Sequence, residues 1–272
     1  MMKTKATARR LAYRSGRWEQ GSRALPEETA VALVYNGTTQ AVMMATPEDF
    51  EDFATGFSIT EQIVTDVSEI QEIELLTLDH GVELRVWLNA AADERFRDRR
   101  RLQVGPVGCG LCGIDSIAQA MRAVPHVASD QRLTPADIAA AMSGLVRHQA
   151  LNDATRAVHA AGFYVPGLGV TEAREDVGRH NALDKLAGAL ARAGTSPATG
   201  AVVLTSRISV DMVQKTAILG ASVLIAASAP TALALREAKA AGITLIAIAR
   251  GADFEVFTHS ERIAEGPAAD VA

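Results

Sequence analysis

Cysteine is nearly absent from this chain of 272 residues: there are two, Cys109 and Cys112. A disulfide framework of the secreted type is therefore excluded, and the cytosol is the expected compartment. Aromatic residues make up only 4%, so Ala, Val and Leu must supply the core. No apolar run approaches the roughly 20 residues of a membrane span, so no membrane role is expected. The charge lacks a positive excess: 27 Lys and Arg against 32 Asp and Glu leave −5, which argues against nucleic acid as a partner. The first ten residues are basic but have no apolar segment behind them, so a secretory signal is not expected.

What is present is concentrated. Gly108-Cys109-Gly110-Leu111-Cys112-Gly113 holds both thiols in a glycine-rich loop. An expected helix, Ile114 to Val124, follows directly, and its first amides would favour a thiolate. A dithiol couple, a persulfide carrier and a zinc half-site all fit such a loop. Zinc is the weakest, because no second cysteine pair exists and the six histidines show no ligand spacing; no metal site is expected. Just upstream, positions 95–101 carry five arginines, read either as a solvated helix end or as a dock for an acidic group.

Residues 1–124 read as a smaller α+β domain. Ala30–Tyr35 and Thr39–Met44 form a hairpin across Asn36-Gly37, and Ile70–Leu78 and Val82–Leu88 a second. Thr46 is placed to cap a helix with Pro47 at its first position and Phe50, Phe53 and Phe57 on one face. Residues 125–133 read as a linker, and Thr134-Pro135-Ala136-Asp137 opens the next helix. Residues 134–272 have another rhythm. Apolar runs starting at Ala201, Ser222 and Ile243 recur every 21 residues with helical segments between them, as buried parallel strands do. With a helix over 178–192 and a hairpin at 157–164 and 168–174, this is an α/β domain of three layers.

Two polar clusters interrupt it. Arg174-Glu175-Asp176-Val177-Gly178-Arg179-His180-Asn181-Ala182-Leu183-Asp184-Lys185 is either a capped helix with Asp184 and Lys185 paired on a wet face, or an anion site at a helix start; the residues alone leave the two level. The other is a set of three strand ends in register: Thr205-Ser206-Arg207-Ile208-Ser209, with Met212, Gln214 and Lys215 following; Ser228-Ala229-Pro230-Thr231; and Ala249-Arg250-Gly251-Ala252-Asp253. Ligands of such sheets gather at the carboxyl ends of the strands.

The cysteine loop, the Glu175–Lys185 block, Met212-Val213-Gln214-Lys215, Ser228–Thr231 and Gly242-Ile243-Thr244-Leu245 together resemble the formate dehydrogenase accessory sulfurtransferase family, over roughly residues 10 to 265. The resemblance implies a three-layer α/β/α sandwich similar to the cytidine deaminases, although the H-x-E and P-C-x-x-C zinc signature of those enzymes is absent here. It implies a sulfur carrier that takes sulfane sulfur from a cysteine desulfurase as a persulfide on Cys109, with Cys112 as partner. The sulfur would pass to the molybdenum cofactor, bis(molybdopterin guanine dinucleotide), for formate dehydrogenase. Ile248, Ala249, Arg250, Gly251, Ala252 and Asp253 map to the family's cofactor-binding stretch, and Arg179, His180, Ser206 and Arg207 are assigned to the same ligand. A homodimer is implied as well. The sequence departs from the family at Thr155-Arg156-Ala157-Val158-His159, where Thr-Gly-Gly-x-His is usual, and at Gly105-Pro106-Val107-Gly108, where hydroxyl residues are frequent. The competing readings are a chaperone that only binds and delivers the cofactor, and a thiol–disulfide oxidoreductase.

Overall fold

The computed structural model describes residues 2–103 and 123–264, with side chains through residue 98 and again from residue 123. The Cys109–Cys112 loop and the expected helix from Ile114 lie outside the described residues, apart from Ala123 and Val124, which are not helical.

The chain begins with a hairpin that the sequence reading missed, β1 (Lys5–Arg14) and β2 (Arg17–Pro26), which pair only with each other. Its turn, Ser15-Gly16, has φ of 48° and 82°, the paired positive values of the tight turn that suits strand twist. The pattern was invisible because the two strands bury almost nothing, so no apolar/polar alternation marks them. A four-stranded sheet follows, made of β3 (Thr29–Tyr35), β4 (Thr38–Ala45), β5 (Ile70–Leu78) and β6 (Gly81–Leu88) in the order β4-β3-β6-β5. Both expected hairpins are present, and β3 and β6 pair in parallel at the centre. Val31, Leu33, Leu84 and Val86 form one face and pack with Phe53, Phe57 and Phe96 of α1 (Phe50–Thr60) and α2 (Ala90–Gln103).

Helix α1 starts at Phe50, three residues later than expected, behind Asp49 in the left-handed region. Thr46 is not its cap, because every polar group of Thr46 is engaged elsewhere. Its N–H donates to Asp176, its hydroxyl accepts from the Val177 N–H, and its carbonyl accepts from Lys185.

The second region opens at Thr134, whose hydroxyl caps α3 (Pro135–Val146) while Asp137 returns the bond, as the motif requires. Helix α4 (Ala150–Thr155) leads to β7 (His159–Val165), β8 (Gly169–Asp176) and α5 (Arg179–Arg192). Then β9 (Ala201–Leu204), α6 (Val210–Leu219), β10 (Val223–Ala226), α7 (Ala232–Ala240), β11 (Thr244–Arg250) and β12 (Asp253–Val256) complete it. The sheet order is β12-β11-β10-β9-β7-β8, parallel from β9 to β11 and antiparallel at both sides. Strand period 2 sends Val202, Leu204, Leu224 and Leu245 to α5–α7, and Ala201, Val203, Val223, Ile225 and Ile246 to α3. The expected three layers follow from that split. The segment 125–133 lies along this region: Val127 is in the core and bonds Ala241, and Leu133 bridges Ile263.

The two regions meet where α1 crosses α5. A Cβ on Gly56 would sit 1.7 Å from the Asp184 carbonyl oxygen, and one on Gly188 would sit 1.9 Å from that of Asp52. The helices approach at glycine, backbone to backbone, which fixes how the four-stranded sheet stands on the α/β layers.

Candidate functional site at the carboxyl edge of the large sheet

The three polar strand ends do converge, and hydrogen bonds tie each to the next. The Ala160 N–H of β7 donates to the Thr205 hydroxyl at 2.9 Å. Beyond it the Ile208 N–H reaches the Ala229 carbonyl, and Thr231 returns a bond to Ile208. The Ile248 N–H donates to the Ser228 carbonyl, and Arg250 Nε to that of Ala227 at 3.4 Å. Four strand ends thus form one continuous rim, about 14 Å long at a strand spacing of about 4.8 Å.

At one end of the rim α5 begins, and its first two residues are Arg179 and His180. Gly178 is the N-cap and supplies no side chain, so the amides of the first turn are left for another acceptor. Arg179 Nε and His180 Nε2 are buried atoms that have no hydrogen-bond partner among the described residues. His180 Nε2 stands 3.5 Å from Asp211 Oδ2, an ion-pair distance without hydrogen-bond alignment. The imidazole beside Asp211 holds that carboxyl below the usual aspartate value. His159, half-buried at the start of β7, is pushed down by burial first and then by the charges of Arg179 and His180. Burial and the neighbouring cationic groups both resist a further positive charge on this imidazole. His159 was noted in the sequence only for its place in the departing Thr155–His159 segment; its signal was the register that pairs it with Asp176.

The rest of the Glu175–Lys185 block is not part of this opening. Glu175 accepts the Leu151 and Asn152 N–H groups at the start of α4. Asp184 and Lys185 do not pair with each other on a wet face, because both are fully buried. Lys185 Nζ is 2.7 Å from Asp176 Oδ2, and Asp184 Oδ1 is 2.8 Å from Lys215 Nζ. Asp176 also accepts from Gly178, Asn181 and Thr46, so it holds the loop ahead of Arg179 rather than capping α5. Lys215 is completed by Thr60 and Glu61 of the other region. Nearby, Arg174 and Arg192 both clamp Asp52 of α1.

The remaining expected residues divide. Arg207, Arg250, Gly251, Ala252 and Asp253 are exposed on the rim. Ile248 is 37% exposed with φ of +53°, at a bulge between Ala247 and Arg250. Ala249 turns its side chain into the core under α3, leaving only backbone for a ligand. Ser206 is buried and its hydroxyl donates to the Arg207 carbonyl. Met212, Gln214 and Lys215 are buried in α6. Of the five arginines before the cysteine loop, Arg95 pairs with Glu69 at 2.6 Å and Arg97 with Asp93 at 2.8 Å; the side chains of the other three lie outside the described residues. Cys109 and Cys112 lie outside them too. Among the described residues no cluster of His, Cys, Asp and Glu has the form of a metal site, and no helix is long and apolar enough to cross a membrane.

The profile of the FdhD/NarQ family matches residues 26–264. A sulfur carrier protein FdhD of Agrobacterium fabrum is 56% identical over 255 residues, 93% of this chain and 94% of that one. The protein of the same name from Brucella abortus is 51% identical over 94% of this chain and 95% of its own, and that from Cupriavidus necator 48% over 91% and 88%. A crystal structure from Desulfotalea psychrophila, described as that of a formate dehydrogenase accessory protein, superposes with a TM-score of 0.75 at 26% identity, covering 96% of this chain and 100% of that one.

Proposed function

The chain belongs to the FdhD/NarQ family, and on that premise we propose that it is a sulfur carrier in the maturation of formate dehydrogenase. The observation that carries the reading is the family match, which runs through the Cys109–Cys112 segment, taken with the anion-fitted rim beside α5.

The sulfur step uses Cys109. Its thiolate attacks the outer sulfur of a cysteine desulfurase persulfide. The donor's S–S bond breaks, a Cys109 persulfide forms, and the donor cysteine leaves as thiolate. The recipient substrate is bis(molybdopterin guanine dinucleotide) molybdenum, an anionic ligand with two pyrophosphates. Arg179, His180, Arg207 and Arg250 hold those phosphates by charge-assisted hydrogen bonds, helped by the open amides at the start of α5. Ile248 and Gly251–Asp253 border the nucleotide end of the rim. Thr46 and Asp176 act one step back, by fixing the loop that presents Arg179. The work takes place in the cytoplasm, with formate dehydrogenase as the client.

A chaperone that binds the same ligand without carrying sulfur is the second reading, favoured by the basic residues Arg179, Arg207 and Arg250 that the described rim carries. Intact mass after incubation with a desulfurase and cysteine separates the two. One reductant-labile sulfur is expected on the wild type and on Cys112→Ser, and none on Cys109→Ser. No gain on any form, with an active desulfurase, leaves the chaperone.

A further inference from the structure

Two helices begin side by side at the rim, and the second residue of each is titratable: His180 in α5 and Asp211 in α6. Between the strands that lead into them lies β7, which places His159 at the same edge. A carboxylate in the first turn of a helix needs no ligand to explain it. Its contact across to the neighbouring helix does ask for a reason. Asp211 Oδ2 stands 3.5 Å from His180 Nε2 and accepts from the Ser209 hydroxyl at 3.4 Å. The imidazole is the first cause of the lowered Asp211 carboxyl, yet His180 Nε2 is buried and makes no aligned hydrogen bond among the described residues. The other charged and titratable groups around this point are Arg179 on the same helix, His159 on β7, and Asp176 at the end of β8, whose charge Lys185 already takes.

An imidazole whose Nε2–H is directed at a carboxylate has one ring nitrogen left. In the neutral ring that nitrogen is a bare acceptor and repels a phosphate oxygen. Only the imidazolium donates from both nitrogens at once. A carboxylate on one side and a phosphate on the other therefore both favour the doubly protonated ring.

We infer that Asp211 is a positioning residue for the rim: it accepts the Nε2–H of His180, so that the ring receives a ligand phosphate through Nδ1 and takes up one proton as the phosphate binds. The proton comes from solvent and stays on the imidazole while the phosphate is there. Asp211 itself touches no ligand. Phosphate and proton then bind together, so affinity falls as pH rises. The phosphate's own last ionisation works in the opposite sense and is complete above about pH 7. The inference rests on the reading of the rim as the cofactor's phosphate site, and is independent of whether Cys109 carries sulfur.

Calorimetric titration of the full chain with guanosine diphosphate, from about pH 7 to about pH 8.5, tests it on wild type, Asp211→Asn and His159→Gln. Wild-type affinity should fall by up to about tenfold per pH unit, the limit for one linked proton. Heats in buffers of different ionisation enthalpy should show the proton being taken up. Asp211→Asn should keep the wild-type melting temperature, bind about 10-fold more weakly at about pH 7, and show a nearly flat profile with no proton uptake, since an amide beside Nε2 does not support the imidazolium. His159→Gln should keep the slope, because burial already holds that imidazole neutral over this range. Parallel profiles for wild type and Asp211→Asn, or tighter binding by the variant at every pH, would overturn the positioning role and leave the rim as the nucleotide's site. A slope lost in His159→Gln would move the proton to β7 and overturn it as well. A wild type that binds no nucleotide would overturn the rim reading and this inference together, whatever the desulfurase test shows for Cys109.

Discussion

Within residues 174–185, two sets of polar side chains share one short stretch and do opposite work. Asp176, Asn181, Asp184 and Lys185 are buried to within 2% and every charge among them is paired, whereas Arg179 Nε and His180 Nε2 have no hydrogen-bond partner among the described residues and stand at the rim. Helical geometry makes the division: positions 181, 184, 185 and 188 share the face of α5 that α1 covers, while 179 and 180 sit in the first turn, at the sheet edge. The buried set holds the two regions of the molecule together, through Thr46, Thr60 and Glu61. The rim set is held in place by them and is left free to bind. A dense run of charge is therefore no evidence of a ligand until each member's partner is known.

The largest effect should come from the helix crossing. Gly188→Val places carbon where the Asp52 carbonyl stands, so α1 and α5 cannot close and soluble folded protein should be lost. Lys185→Met comes next. It leaves Asp176 charged and buried with no cation, at a cost of about 3–5 kcal/mol, or roughly a 10 °C fall in calorimetric melting temperature. Adding Asp176→Asn removes the orphaned charge and should return much of that loss. A neutral Lys185→Met would mean that the buried set is not structural, and the contrast with Arg179 would collapse.

Much of this was legible beforehand, and the failures have a common physical cause. The hairpins at Asn36-Gly37 and Asp79-His80, the helix opened by Thr134 and the βαβ repeat every 21 residues rest on local chemistry, and they stand as expected. The three rim segments followed from the repeat itself. Thr46 was misassigned because the partners that engage its N–H, hydroxyl and carbonyl from β8, α5 and the loop between them are 130 to 139 residues away, and nothing local marks them. The pairing of Lys185 with Asp176 and of Asp184 with Lys215 was hidden for the same reason: adjacency in sequence suggested that 184 and 185 pair, and burial forbids it. Hairpin β1–β2 has almost no buried face to generate a pattern, and edge strand β12 is only four residues long, with Phe254 and Val256 half-buried against the core. Gly56 and Gly188 read as ordinary helix weaknesses until the crossing of α1 and α5 is seen.

On the rim the order of effects reverses. Arg179→Ala should change stability by less than about 1 kcal/mol, since its Nε makes no internal bond. It should weaken binding of guanosine diphosphate, a probe for the nucleotide half of the cofactor, by about 10- to 100-fold in calorimetry, as expected for a lost charge-assisted bond. Equal affinity in the two proteins would move the ligand away from α5.

The smallest effect sharpens the comparison most, because it reads the rim's electrostatics without altering its shape. Folding lowers the His159 pKa from its ordinary 6.5, by burial and by the charges of Arg179 and His180. The unfolded chain therefore binds the proton first as pH falls. His159 contributes its full stability above about 6.5 and loses it progressively below, towards its lower folded value. The carboxylates titrate over a neighbouring range, so the informative quantity is the difference between wild type and His159→Gln. Their urea midpoints should keep a constant gap above pH 6.5, and the wild type should lose ground to the variant below it. A bound phosphate works in the opposite sense. Its negative charge between Arg179 and His180 offsets the cations that depress His159, so an NMR titration should place the imidazole below 6.5 alone and shift it upward with guanosine diphosphate. An imidazole that ignores the nucleotide while the nucleotide binds would place the phosphate away from the start of α5, towards Arg250 at the other end of the rim, and leave Arg179 and His180 without a role.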